Sequence, residues 1–250
     1  MLAAVVLTLN EEKHLPDCLA SLGWVDELIV FDSFSADHTA EITRHHRATF
    51  VQHPFVNYAA QRNAALAATG ADWVLFVDAD ERIPPPLADE VRAAIQKPEP
   101  VGWWVPRHNY LFGKLTLQAG WYPDYQLRLL KREAAHYDPD RHVHELVKLN
   151  GPAGHLKNPL IHLNYETVGE FIEKQRAYTR YDAGILFSEG QRAKPQNFVL
   201  QPLRQFWWRI ITLQGWRAGF HGLRLSVLMA YFQWVLYQNL KELEKTRGVN

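Results

Sequence analysis

Along its first hundred residues the chain alternates short apolar runs with stretches whose apolar positions recur every three or four residues. Leu2–Leu9 is a continuous apolar run and predicts a buried strand. Over residues 11–22, Leu15, Cys18, Leu19 and Leu22 fall at helical spacing, with Asn10 placed as the cap. Residues 28–31 predict a second strand ending at Asp32. Residues 36–46 predict a helix capped by Ser35, and residues 49–52 a third strand. Residues 57–69 are Ala-rich and helical, closed by Gly70. Residues 73–77 predict a fourth strand ending at Asp78. Pro84-Pro85-Pro86 then opens a helix to about Ile95, because proline is tolerated in a first turn. Strands alternating with helices of this length predict βαβ units and a parallel sheet with helices on both faces. Ligands of such sheets bind beyond the carboxyl ends of the strands. Here those ends carry Thr8-Leu9-Asn10-Glu11, Asp32-Ser33 and Asp78-Ala79-Asp80-Glu81.

The pattern changes after residue 100. Residues 103–109, 126–131 and 160–162 read as strands between connections rich in Gly, Pro and His. Residues 168–187 read as a helix with Phe171, Ile172, Tyr178, Tyr181 and Ile185 among its apolar positions. Residues 190–196 are polar and read as a linker. From Phe198 two aromatic helices follow, broken near residues 215–219. The expected organisation is one α/β domain over residues 1–197 and a helical appendage over 198–250.

Composition sharpens this in three places. The 250 residues carry no net charge, which argues against a nucleic-acid binder working by bulk charge. The balance conceals an acidic front and a basic end: residues 1–100 hold 7 Lys+Arg against 15 Asp+Glu, whereas residues 201–250 hold 7 against 2. Cys18 is the single cysteine, so no intramolecular disulfide forms and a reducing compartment suits the chain. The opening apolar run lacks a basic flank and runs straight into Asn10-Glu11-Glu12-Lys13, unlike a signal peptide. The longest apolar-rich run, residues 223–237, contains Arg224 and Gln233 and is shorter than the roughly 20 residues that span a bilayer.

Candidate chemistry sits at the strand ends. Asp78 and Asp80 are two carboxylates just past a buried strand; unpaired they would repel and resist ionisation. A divalent cation removes that difficulty, and hard oxygen ligands suit Mg²⁺ or Mn²⁺. The plain alternative is a pair of solvated loop acids. Asp32 stands where a nucleoside base or ribose can be hydrogen-bonded. Arg62, in the polar triplet Gln61-Arg62-Asn63 of an Ala-rich helix, either faces solvent, reaches a phosphate or pairs with Asp78.

Taken together these residues resemble glycosyltransferase family 2, the inverting enzymes of GT-A type. The likeness is carried by Val5-Val6-Leu7-Thr8-Leu9-Asn10-Glu11-Glu12, by residues 29–39 (IVFDSFSADHT), by Gln61-Arg62-Asn63 and by Asp78-Ala79-Asp80. It covers about residues 3–95. It implies a Rossmann-like, mostly parallel sheet with flanking helices and a nucleotide-sugar donor bound over residues 1–100. It also implies that Thr8, Asn10, Glu11 and Asp32 hold the nucleoside, that Asp78 and Ala79 line the ribose and sugar, and that Asp80 ligates the metal bridging the diphosphate.

The second half narrows the resemblance. Gly120-Trp121-Tyr122-Pro123-Asp124, residues 126–132 (QLRLLKR) and His142-Val143-His144-Glu145 are similar to the branch containing bacterial lipopolysaccharide core β-1,4-glucosyltransferases. Where most members place an acidic pair, this chain has His144-Glu145. That leaves Glu145 as the expected base, Asp124 as the competing one, and His144 as either a metal ligand or a satisfied histidine. An inverting transfer needs a base to take the proton of the acceptor hydroxyl. The leaving nucleoside diphosphate needs charge stabilisation, which a metal supplies. Trp121 is the expected acceptor platform. Arg128, Arg132, Arg141 and His142 either contact acceptor phosphates or make ordinary salt bridges. Trp207, Trp208, Trp216 and Trp234, mixed with Arg204, Arg209, Arg217 and Arg224, predict a tail that lies on an anionic membrane or packs on protein. The implied enzyme is cytoplasmic, peripheral on the inner membrane, and acts on a cell-envelope glycan or lipid-linked acceptor. A sugar-phosphate nucleotidyltransferase is the second enzyme reading, weakened because the first glycine is Gly23, after the first helix. A non-catalytic nucleotide-sugar-binding protein is the third.

Overall fold

The computed structural model describes residues 1–138 and 147–246. The chain divides into two compact units, Met1–His108 with Asp124–His162, and Asn109–Pro123 with Leu163–Asn250.

The first unit opens as its periodicity predicts. β1 (Leu2–Thr8), α1 (Leu15–Ala20), β2 (Glu27–Asp32), α2 (Thr39–His45), β3 (Thr49–Gln52), α3 (Tyr58–Ala67) and β4 (Trp73–Asp78) alternate. The four strands are parallel in the order β3-β2-β1-β4. β1 is apolar throughout because both of its faces are covered. Ala4 and Val6 pack with Leu15, Leu19 and Val91 on one side, and Val5 packs with Ala59, Ala65 and Phe76 on the other. Complete burial of one such valine stabilises by roughly 1.5–3 kcal/mol. β5 (Glu81–Arg82) and α4 (Pro85–Ala94) follow, with Pro85 in the first helical turn.

The sheet then turns antiparallel. β6 (Gly102–Leu111) ends in the second unit, where β7 (Lys114–Leu115) pairs with it; β8 (Tyr125–Lys131) lies antiparallel to both β4 and β6. β9 (Ala135–Tyr137) and β10 (Val147–Leu149) form a separate ribbon, and β11 (Ala153–His155) runs parallel to β6. β12 (Leu160–Tyr165) pairs with β5, setting His162 opposite Glu81. Strands of two or three residues are too short to show a period, so β5, β7, β9, β10 and β11 were not expected.

Two of the expected caps differ. Asn10 has φ 58°, a left-handed conformation, and does not cap α1. α1 starts only at Leu15, after a turn in which the Glu11 carbonyl accepts from the His14 and Leu15 amides at 3.1 and 2.9 Å. Ser35 does not cap α2, which starts at Thr39. The cap at Asn57 is present, its side chain accepting from the Ala60 amide at 2.8 Å.

The second unit is helical. α5 (Val168–Ser188) and α6 (Asn197–Trp207) are followed by a π-helical turn (Trp208–Thr212), a 3₁₀ turn (Gly215–Ala218) and α7 (Phe220–Thr246). Its core joins Leu111, Tyr165, Phe171, Leu225 and Phe232. The division therefore does not fall at residue 197. α5 and residues 109–123 pack with the last two helices, because Phe171 places its ring 4.9 Å from Tyr165, 5.8 Å from Phe112 and 6.0 Å from Phe232. Gly222 is required at the entry to α7, since a Cβ there would stand 1.9 Å from the Gly215 carbonyl oxygen. Among the described residues no helix is long and apolar enough to cross a membrane.

Candidate active site

The parallel register aligns the strand ends, placing Thr8 beside Asp32 and Leu7 beside Asp78. Asp32 is completely buried. Its carboxylate accepts from the Thr8 hydroxyl at 3.0 Å, the Ser35 amide at 2.8 Å, the Gln52 side chain at 3.3 Å and the Ser35 hydroxyl. Asn10 continues this lacing. Its amide donates to the Ser35 hydroxyl at 2.8 Å and its side-chain oxygen accepts from the Ala36 amide at 2.9 Å. The Glu11 amide donates to the Thr39 hydroxyl at 3.2 Å. Asp32 thus ties the loop after β1 to the loop after β2. Asn10 is exposed at this edge and Glu11 is half-buried, whereas Thr8 is buried beside Asp32.

The triplet in α3 does not form a uniform solvated face. Gln61 is buried, donating to the Ser33 hydroxyl at 3.1 Å and meeting His53 Nδ1 at 2.9 Å. Asn63 pairs with the Tyr137 backbone in both directions, at 2.7 and 2.9 Å. The Arg62 guanidinium lies 5.9 Å from the Phe76 ring and 5.6 Å from that of Tyr137, a cation–π setting.

Arg128 holds Asp78. Arg128 is buried in β8, and its two Nη atoms fork onto the Asp78 carboxylate. Its Nη2 also reaches Glu81 Oε1 at 2.8 Å. Of the two readings for Arg128, the salt bridge is the one present; Arg132 likewise turns inward, onto the Ala71 carbonyl at 2.9 Å. Glu81 has no exposed side-chain surface, and its Oε2 accepts from the Asp78 amide at 2.9 Å. Arg107, in β6, stands 3.7 Å from Glu81 Oε1 and clamps Asp124 Oδ2 through Nη2 at 2.7 Å and Nε at 2.9 Å. Gln126 donates to Asp124 Oδ1 at 3.2 Å. Burial opposes charge on Asp78, yet the Arg128 guanidinium holds its carboxyl well below the usual range. Burial pushes Glu81 up, against the pull of the same arginine.

Asp80 faces a histidine that the sequence did not single out. His162 Nε2 lies 3.4 Å from Asp80 Oδ2, and His162 is buried. A carboxylate oxygen and an imidazole nitrogen are a fitting pair for Mn²⁺ or another divalent cation. Among the described residues no third such side chain joins them. Ala79 is buried, and its carbonyl accepts from Arg82 at 2.8 Å. Arg141, His142, His144 and Glu145 lie outside the described residues. Trp121 belongs to the second unit, where its ring sits 6.2 Å from Tyr165, 6.4 Å from Phe171 and 6.0 Å from the Arg209 guanidinium. Burial pulls Arg209 down to about 10.

A parallel βαβ core with acids along its carboxyl edge, joined by antiparallel strands that return a further carboxylate to the same unit, is the architecture of a GT-A sugar transferase. The chain belongs to glycosyltransferase family 2, whose model matches residues 3–144. It is 31% identical over 231 residues to the lipopolysaccharide core biosynthesis glycosyltransferase LpsC of Rhizobium meliloti (strain 1021), covering 88% of this chain and 84% of that protein. An uncharacterized glycosyltransferase of Rickettsia typhi (strain ATCC VR-144 / Wilmington) is 24% identical over 274 residues, covering 99% of this chain and 89% of its own. The crystal structure of S. aureus TarS shares the fold, with a TM-score of 0.50 at 17% identity over 92% of this chain and 54% of that one.

Proposed function

We propose that this family 2 transferase moves a hexose from a UDP-sugar, with inversion, to a hydroxyl of a cell-envelope glycan or lipid-linked acceptor. The observation that carries the reading is the carboxyl edge of the first unit, where Asp78, Asp80 and Asp124 are each held by a basic side chain. The similarity to LpsC, a lipopolysaccharide core biosynthesis glycosyltransferase, supports a lipopolysaccharide acceptor.

In this reading Asn10 and Glu11 contact the nucleoside, on loops that Thr8 and Asp32 hold in place. Asp78, fixed by Arg128, accepts from ribose or sugar hydroxyls beside the Ala79 backbone, and Arg62 lends positive charge nearby. Asp80 and His162 would hold Mg²⁺ or Mn²⁺, with His144 the further ligand candidate. The metal, when bound, neutralises the departing diphosphate. The acceptor oxygen bonds to the anomeric carbon through an oxocarbenium-like transition state as the carbon–phosphate oxygen bond breaks. The bonding electrons leave with the diphosphate, and the acceptor proton passes to a carboxylate. We take Asp124 as that base, because Arg107 links it to the Asp78 cluster; Glu145, the base expected from the sequence, lies outside the described residues and is the alternative. A panel of UDP-sugars assayed for UDP release tests the reading. One donor should turn over only with divalent metal, and Asp80→Asn should abolish the release. Undiminished turnover in EDTA removes the metal, and no turnover of any donor overturns the donor class.

The second unit adds a membrane contact. Val199, Leu200, Leu203, Trp207 and Ile211 are exposed along α6 and its π turn, as are Phe220, Leu223, Val227, Tyr231 and Trp234 along α7. Both sets recur at helical spacing, so each forms a stripe. No Asp or Glu stands between Glu189 and Glu242, while Arg192, Lys194, Arg204 and Arg217 do. An apolar, Trp-rich face with only positive charge fits the surface of an anionic bilayer, on the cytoplasmic side of the inner membrane. Replacing Trp207, Leu203 and Phe220 together by Ser should abolish co-sedimentation with phosphatidylglycerol vesicles and leave the melting temperature unchanged. Equal sedimentation of wild type and variant rejects the contact.

A further inference from the structure

Neither the nucleotide reading nor the choice of base uses Glu81, yet it is completely buried within the site. It sits in β5, between the Asp78-Ala79-Asp80 turn and α4. Its Oε1 faces two guanidiniums, Arg128 at 2.8 Å and Arg107 at 3.7 Å, and its Oε2 fixes the Asp78 amide at 2.9 Å. Each arginine in turn grips a carboxylate of the site: Arg128 grips Asp78, and Arg107 grips Asp124. The five groups alternate in sign, Asp78, Arg128, Glu81, Arg107, Asp124. They come from three separate stretches of chain, around residues 78–81, 107 and 124–128. Without Glu81, the buried Arg128 and the half-buried Arg107 would face one another with no anion between them, and each would re-aim. Arginine's planar fork transmits such re-aiming directly to a bidentate partner.

We infer that Glu81 is a positioning residue that sets the donor-side carboxylate Asp78 and the acceptor-side carboxylate Asp124 together, through Arg128 and Arg107. The inference rests on the UDP-sugar transferase reading. It gives the two arms separate signatures. Arg107→Met disturbs only the Asp124 arm, so it lowers kcat and leaves UDP affinity alone. Arg128→Met disturbs the Asp78 arm, so it weakens UDP binding. Glu81→Gln disturbs both.

The test uses the full chain, with steady-state turnover of the accepted UDP-sugar, UDP titration by calorimetry and melting temperatures. Glu81→Gln should lower kcat at least tenfold and weaken UDP binding at least threefold. Glu81→Asp, which keeps the charge, should recover part of both. The Glu81→Gln/Arg107→Met pair should lose far less kcat than the product of the single losses, because both act on one chain of contacts. Glu81→Gln within twofold of wild type in kcat and UDP affinity overturns the inference, as does a double variant whose losses multiply. Where Glu81→Gln does not fold, Glu81→Asp and Arg107→Lys decide the same split: unchanged kcat in both overturns it, and lowered kcat with retained UDP affinity for Arg107→Lys supports it. A wild-type chain that neither binds UDP nor turns over any UDP-sugar fails at the donor reading itself, a result distinct from a wild type that binds UDP and a Glu81 variant that behaves like it.

Discussion

Asp124→Asn is expected to lower kcat by about 10²–10⁴-fold, the range general-base removal produces, with UDP affinity within twofold of wild type. Asp124 immediately precedes β8, which runs antiparallel to β4, so the start of β8 lies toward the end of β4 where Asp78 stands. Arg107 fixes one carboxylate oxygen and Gln126 the other. The arginine clamp keeps the carboxylate aimed. The acceptor hydroxyl becomes strongly acidic only as its oxygen bonds to the anomeric carbon, so a weak base suffices at that moment. The amide of asparagine preserves shape and most hydrogen bonds while losing the basic lone pair. A fall in kcat without a change in donor affinity is the mark of an interaction made in the transition state. The paired measurement is Glu145→Gln. If that variant loses kcat and Asp124→Asn does not, the base is Glu145. If both keep kcat, neither is the base.

The features legible in the sequence are those encoded locally. The apolar runs of β1, β2 and β4 and the intervening helical spacing predicted the parallel core, and the polar residues after each strand marked its ligand edge. The Asn57 cap was legible because its partner is three residues away. The misreadings share a physical cause, namely partners distant in sequence. Asn10 was expected to cap its own helix but bonds across to residues 35 and 36. Arg128 was left between an acceptor contact and a salt bridge, because its partner Asp78 is 50 residues away. His162 meets Asp80 only because the two-residue strand β5 pairs with β12, and no period announces so short an element. The acidity of the front was legible as a number; its division into a loop tie at Asp32, a forked pair at Asp78 and a histidine-facing oxygen at Asp80 required the register of the sheet.

Phe171→Ala is expected to destabilise the second unit by about 3–5 kcal/mol, the usual loss for a buried phenylalanine. Phe171 is completely enclosed, with Tyr165 on β12, Phe112 after β6, Trp121 and Phe232 on α7 around its ring. Alanine would leave a cavity that these rigid rings cannot close. Denaturant unfolding, followed by Trp fluorescence, should show the transition of this unit moved to lower denaturant. Leu203→Ala, on the exposed stripe of α6, should shift it by less than about 0.5 kcal/mol. A Phe171→Ala midpoint equal to wild type would mean that α5 does not depend on the last helix. That dependence decides how the membrane contact must be tested. A chain ending near residue 197 loses Leu225 and Phe232 from around Phe171, so its failure to bind vesicles would report unfolding of the unit. Substitutions confined to the exposed stripe remove the apolar surface and keep the core, and only they separate the two effects.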